Sequence, residues 1–372
     1  MSVKKRKRRM KTWQKALIFF AEIVALFVVL IAWYIVDKFD RLEIQEIDRE
    51  AIDLVIAQEV KDNETLKGYT NYLLLGTDAR DNSLEAMTST GEGNTDAIII
   101  ASVNNDTKEV RLVSVYRDTL LMVPAIGEYP DTYRKATEAF FYSGVEGTIN
   151  MINLNLDLNI TDYVMVNFEA LIRIVDAIGG IDLEITEEEL YWLNEYLRDT
   201  GLNTGRTYET VPNAGYVHLD GIQATAYCRI RYADGTLDYG RAERQRKVIG
   251  LIFEKAKKMN LNQLTNAING VLDNVVTSVS VADILNMAKD VFDYSLVGQT
   301  GFPFEKFGSM KNVPQIDIAD PVFAMTLEDN VSELHEYLFG VYDYEPTSRI
   351  QDISAYLQAL YDLNYYPDNI YQ

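Results

Sequence analysis

Apolar positions along the chain come first as short unbroken runs. Tyr72-Leu73-Leu74-Leu75 stops at Gly76, Ala97-Ile98-Ile99-Ile100-Ala101-Ser102-Val103 stops at Asn104-Asn105, and Val110 to Val115 ends before Arg117-Asp118. Runs of this length bounded by Gly, Asn and Asp predict strands buried on both faces. Residues 145–156, 168–178 and 242–258 predict helices, with another around 281–293 and a Pro- and Gly-containing stretch near 298–314. The alternation of the two element types predicts a layered α/β domain. Ala226 to Tyr232 alternates with period two, which predicts a strand carrying Tyr227, Arg229 and Arg231 on one face and Ala226, Cys228, Ile230 and Tyr232 on the other.

One apolar run is much longer. Ala16 to Val36 is broken only by Glu22, and its twenty-one residues as a helix cover about 30 Å, the thickness of a hydrocarbon core. Eight basic residues and no acid precede it, so the positive-inside rule places the N-terminus in the cytoplasm and everything after Val36 outside. The run exceeds a signal-peptide core and leads into Asp37-Lys38-Phe39-Asp40, which predicts an uncleaved anchor. The expected organisation is a basic cytoplasmic tail (1–15), a transmembrane helix (16–36), a stalk (37–67), an exported domain (68–345) and a Tyr-rich C-terminal segment (346–372). For those tyrosines, packing on the domain is the commoner role and sugar stacking the rarer one.

Charge narrows the function. The net charge is −21, and because the first fifteen residues carry +8 the remainder carries −29. Such a domain does not attract nucleic acid through its overall field. The single cysteine, Cys228, excludes an intrachain disulfide, and with two histidines there is no Cys/His zinc site. Cys228 reads as a small buried side chain with no neighbouring His in sequence to activate it.

Against that acidic background Arg229, Arg231, Arg241 and Arg244 fall within sixteen residues. Two guanidinium groups side by side on a strand repel unless an anion lies between them, and the planar fork of Arg suits phosphate. In Asp238 to Arg246, helical spacing puts Arg241, Arg244 and Gln245 on one face, near a helix N-terminus. Asp78 follows one apolar strand and Asp96 precedes the next. If those strands are neighbours the two carboxylates converge, a hard-oxygen pair suited to Mg²⁺ held with phosphate; the alternative is that each caps a turn.

The separated blocks together resemble the LytR-CpsA-Psr family over about Tyr69 to Lys257. They are Leu75-Gly76-Thr77-Asp78-Ala79-Arg80, Thr95-Asp96, Ser114 to Thr119, Asp162 to Phe168, Val175 to Gly180, His218 to Ala224, Arg229-Ile230-Arg231 and Asp238 to Gln245. The resemblance implies a central mixed sheet flanked by helices enclosing a hydrophobic channel for a polyprenyl chain. At its mouth a divalent metal, Mg²⁺ or Mn²⁺ on Asp78 and Asp96, would meet the pyrophosphate. Arg117, Arg229, Arg231, Arg241 and Arg244 would contact phosphates, ordered by Asp238 and Gln245, with Lys135 in the place of a family lysine. Three departures stand out. Asn94 takes the place of an arginine, Tyr116 that of a proline, and Ala136-Thr137-Glu138-Ala139 follows Lys135 where Ile-Asn-His-Ala is usual. Arg80 and Arg134 are the candidates to replace the lost charge.

The implied activity is phosphoryl transfer: a peptidoglycan sugar hydroxyl attacks the phosphorus nearer the glycopolymer and polyprenyl phosphate leaves, with Asp238 or Asp118 as base. Partners would be the lipid-linked glycopolymer, peptidoglycan and the membrane. Two rivals share the same residues: a polyprenyl-pyrophosphate pyrophosphatase, and a non-catalytic lipid-polymer binding or regulatory protein.

Overall fold

The expected buried strands form the middle of a seven-stranded mixed sheet in a computed structural model that describes residues 42–77, 95–125 and 131–371. The tail 1–15, the run 16–36, and Asp78, Arg80 and Asn94 lie outside the described residues. No helix among the described residues is long and apolar enough to cross a membrane. The sheet strands are β1 (Glu43–Ile44), β2 (Tyr69–Thr77), β3 (Thr95–Asn104), β4 (Glu109–Val115), β5 (Asp162–Val166), β6 (Val275–Thr277) and β7 (Ser295–Phe302), in the order β1-β6-β5-β2-β3-β4-β7. β2–β3, β3–β4 and β5–β6 pair antiparallel; β1–β6, β2–β5 and β4–β7 pair parallel.

The unbroken apolar runs have the expected cause. Leu73, Leu75, Ile98, Ile100, Val113 and Val115 turn one face of the sheet into the main core. Their alternates Leu74, Ile99, Ala101 and Leu112 turn the other face toward Ile249 of a covering helix. Full burial of each such aliphatic side chain stabilises the fold by roughly 1.5–3 kcal/mol.

Twelve helices occur among the described residues: α1 (Arg49–Val55), α2 (Gln58–Asp62), α3 (Glu64–Lys67), α4 (Glu138–Leu156), α5 (Phe168–Ala177), α6 (Glu187–Thr204), α7 (Gly221–Tyr227), α8 (Asp238–Ala256), α9 (Leu261–Val271), α10 (Val281–Lys289), α11 (Leu327–Phe339) and α12 (Ser348–Asn364). α4 begins before residue 145 because Gly144, at φ 63°, interrupts its geometry and hides the earlier turn from the pattern. Main-core residues include Ile149 and Ile152 of α4, Val331 and Leu334 of α11, and Leu357 of α12. A second core joins the outer face of α5 to the ribbon Ile181–Ile185/Gly215–Leu219, α6 and α7.

Three expectations are corrected. Residues 43–67 are not a free stalk, since Ile52, Val60 and Leu66 of α1–α3 are buried in the main core and β1 adds to the sheet. The domain also does not end at 345, because α12 buries Ile350, Ile353, Leu357 and Leu360, and Tyr361 packs edge-on against Phe307 and Phe323. The stretch 226–232 is no strand. Asp220 accepts from the Gln223 amide while Gln223 accepts from the Asp220 amide, a reciprocal cap that starts α7 and carries helix through Tyr227. Cys228 to Tyr232 then form an irregular turn.

Candidate active site

Between the second face of the sheet and helices α5 and α8 lies an apolar cavity of about 430 Å³. Leu74 and Ile99 form its floor, Val164 and Val166 of β5 continue it, and Leu171 and Ile174 of α5 face Val248 and Ile252 of α8. β5 supplies this wall by strict alternation, because Tyr163 and Met165 point the other way into the main core. Polar side chains gather at one end of the cavity: Thr77, Asp96, Arg229, Arg231, Arg241 and Gln245. Thr77 closes β2 and pairs with Thr95 at the start of β3, so the two strands behind the expected metal pair are neighbours.

Asp96 is the hub of the charges. One carboxylate oxygen is ion-paired with Arg117, which follows β4, and the other lies 3.6 Å from Arg241 Nη1. Arg241 Nη2 also lies 2.6 Å from Asp238 Oδ1, and Arg231 Nε approaches the same oxygen at 3.1 Å. Burial holds the Arg241 guanidinium below its usual range, opposed by Asp96 and Asp238 and reinforced by Arg231 and Arg117. Three guanidiniums therefore share two carboxylates next to an apolar void. An entering phosphate would find donors already aimed and would replace carboxylate contacts with its own.

Arg229 leaves the α7 turn in another direction. Its Nη1 donates to Thr200 Oγ1 at 2.8 Å, its Nη2 pairs with Asp199, and its guanidinium stands 4.9 Å from the Phe168 ring centre. Arg229 and Arg231 both line the cavity, but they do not lie side by side with an anion between them: each has its own carboxylate.

Three expected phosphate contacts lie outside the cavity lining: Arg117, which pairs with Asp96, and Arg244 and Lys135. Arg244 does not line the cavity. Its Nε is 2.9 Å from Glu189 Oε1, its Nη2 is 2.6 Å from Asp234, and its Nη1 donates to the Ile230 carbonyl, so it clamps the turn that carries Arg231. At 100° per residue, Arg241 and Gln245 are 40° apart on α8, while Arg244 sits 60° to the other side. Burial alone would depress Arg244, but hydrogen bonds and pairing with Glu189 and Asp234 raise it. Lys135 likewise is held by Asp118, Nζ to Oδ1 3.0 Å, and does not line the cavity. Cys228 borders the cavity, yet burial pushes its thiol up to about 12, which leaves no thiolate for nucleophilic work.

Some participants carried no sequence signal. Asp199 and Glu189 become counter-ions only through the packing of α6 against α7 and its turn, and Asp234 does so where the segment before α8 folds back onto that helix. Asp320 comes beside the site because Val322 bridges Thr119 in parallel and donates to the Asp118 carbonyl. Burial raises the Asp320 carboxyl, Lys135 lowers it, and Asp118 and Asp238 raise it. No group of three or more His, Cys, Asp or Glu side chains among the described residues forms a metal cluster.

The LytR_cpsA_psr family model matches residues 43–313. The chain belongs to the LytR-CpsA-Psr family. Among curated members, the polyisoprenyl-teichoic acid–peptidoglycan teichoic acid transferase TagU of Enterococcus faecalis is 34% identical over 221 residues, covering 59% of this chain and 64% of that protein. The corresponding transferase TagT of Bacillus subtilis is 26% identical over 314 residues, covering 82% of this chain and 90% of that one. The chain thus spans somewhat less than two thirds of the first relative. The crystal structure of B. subtilis TagT shares the fold, with TM-score 0.53 and 24% identity over 75% of this chain and 94% of that one. Two of the departures of this LytR-CpsA-Psr member have a visible local setting. Tyr116 packs its ring 4.5 Å from that of Tyr239, and its hydroxyl lies where a Cβ on Gly301 would be, so ring and glycine fit as a pair. Thr137, after Lys135, donates to the Thr95 carbonyl at 3.0 Å and ties that loop to the strand bearing Asp96.

Proposed function

We propose that this chain is a phosphotransferase that moves a glycopolymer from a polyprenyl-pyrophosphate carrier onto a peptidoglycan sugar hydroxyl. The observation that carries the reading is the joining of an apolar cavity to a polar end where Arg117, Arg231 and Arg241 share Asp96 and Asp238, with Arg229 on the same cavity lining. A lipid pyrophosphate has that same division, an alkyl tail and a polyanionic head. The names of the E. faecalis and B. subtilis relatives support the same substrates. The run 16–36 and the basic residues before it support a single membrane anchor with the domain outside the cell.

Arg117, Arg229, Arg231 and Arg241 neutralise the charge that builds on the transferring phosphoryl group, and Asp238 holds Arg231 and Arg241 in place. The apolar walls fix the tail and keep water from the phosphorus. Asp96 fits a hard divalent cation: it is a carboxylate at the mouth, 22% exposed, beside the place where phosphate oxygens would enter. Asp78 and Asp96 would hold Mg²⁺ or Mn²⁺, which when bound supplies Lewis-acid stabilisation of the phosphate charge. Asp238 and Asp118 are tied up by cations, whereas Asp320, whose carboxyl is raised by burial, joins them as a candidate base for the acceptor hydroxyl.

Membranes carrying the full chain, supplied with lipid-linked polymer, peptidoglycan and Mg²⁺, should yield polymer joined to glycan fragments by mass spectrometry. Asp96→Ala should lower the rate about a hundredfold, or about 2.7 kcal/mol. Polymer phosphate released to water, with none on glycan, would make the chain a pyrophosphatase instead.

A further inference from the structure

α8 has a second working side. Its face opposite the apolar cavity borders a groove of about 910 Å³, near the top of the roughly 300–1,000 Å³ range of ligand pockets. The edge strand β7 runs along this groove from Leu296 to Gly301, and the segment Phe304–Lys306 closes it.

The groove contains a buried charge with bonding capacity to spare. Arg246 is 7% exposed and meets the Tyr116 hydroxyl, yet its Nη1 is buried with no hydrogen-bond partner. A buried cationic donor in that condition calls for an acceptor from elsewhere. Lys306, across the groove, stands 5.1 Å from the ring centres of both Tyr116 and Tyr239. Facing these cations are the carboxylates of Glu243, Glu254, Glu305 and Glu333. With Lys247, donors and acceptors both line the groove, so a polyanion would be repelled by the carboxylates, while a chain of hydroxyls and amides could satisfy both kinds of group. An extended peptide added to β7 would need apolar pockets for alternate side chains, and seven of the lining side chains are charged. The end of the groove lies near the charged mouth, since Tyr116, which lines it, packs 4.5 Å from the ring of Tyr239, the sequence neighbour of Asp238.

We propose that this groove is the acceptor site and holds a glycan strand of N-acetylated amino sugars, laid between α8 and β7 with its attacking hydroxyl entering past Tyr116. The proposal rests on the transferase reading above and names the path of its second substrate.

The test titrates the full-length chain in detergent with a hexamer of N-acetylglucosamine, followed by calorimetry. A polyprenyl-pyrophosphate analogue, read by thermal shift, reports separately on the cavity. Arg246→Met and Gln299→Trp, the second filling the groove from an exposed strand position on the α8 side of β7, should each weaken glycan binding at least tenfold and keep the lipid-induced shift. Should Arg246→Met fail to fold, Gln299→Trp decides. The proposal is overturned if the parent binds no glycan at millimolar concentration, if the folded variants bind it as the parent does, or if a peptide takes the groove in its place. Glycan bound in the groove without polymer transfer would sink the transferase reading alone. Transfer with glycan binding indifferent to both variants would sink the groove alone.

Discussion

Arginines alike in sequence do different work according to the carboxylate each meets. Arg244 is 5% exposed at its side chain, and its partner Glu189 is 13% exposed, so removing the cation strands a buried anion. Arg244→Ala should cost about 3–5 kcal/mol, most of it from Glu189 because Asp234 is solvated. Arg231 is one-third exposed, and Arg231→Ala should cost within about 1 kcal/mol. The lipid analogue should reverse this ranking, its thermal shift being lost in Arg231→Ala while the parent keeps it. Chemical denaturation reads the first quantity and thermal melts with and without analogue read the second; equal shifts in the parent and Arg231→Ala would remove Arg231 from the pyrophosphate site.

At the scale of elements, α8 organises the site by turning Arg241, Gln245, Val248 and Ile252 to the cavity and Arg246 and Gly250 to the groove. Ile249→Trp should fill part of the void, lowering analogue affinity at least tenfold with little change in glycan binding or melting temperature. Undiminished lipid binding by that variant would mean the tail lies elsewhere. β2 to β4 were readable because double-sided burial writes unbroken apolar runs, but β7 was not. Its Gly298 and Gly301 lower strand propensity, and both are demanded by the Tyr337 and Tyr116 hydroxyls that lie over them. α7 imitated a strand because consecutive buried residues followed by buried Ile230 mimic alternation; the Asp220–Gln223 cap was the visible counter-signal. Asp96, Arg117, Arg231 and Arg241 were grouped through the resemblance, and they meet because the start of β3, the end of β4 and the start of α8 come together with the turn that carries Arg231. The different roles of Arg244 and Arg229 depended on Glu189 and Asp199, whose approach is a tertiary event.

For the molecule as a whole, the main core contains one titratable switch of stability. His335 of α11 lies with Nε2 3.0 Å from the Leu156 carbonyl at the end of α4, and burial lowers its pKa from 6.5 to about 4. The unfolded chain therefore binds an extra proton between those values, so this contribution is intact above pH 6.5 and is lost as pH falls toward 4. The full loss is about 3 kcal/mol. Urea midpoints at the two ends of the window should differ in the parent and differ less in His335→Gln; identical pH dependence would exclude His335 as the cause. The cavity between the two cores has a kinetic consequence of its own. On the proposed reaction, the alkyl chain held there would be the same before and after polymer transfer, so tail contacts would bind donor and spent carrier alike and add nothing to the chemical step. Only the head changes, from pyrophosphate to monophosphate, and only the arginines and Asp96 register the difference. On the proposed reaction, contacts added along the tail would slow release of the spent lipid as much as they tighten the donor, so a closer-fitting cavity would make a tighter binder without a faster chemical step.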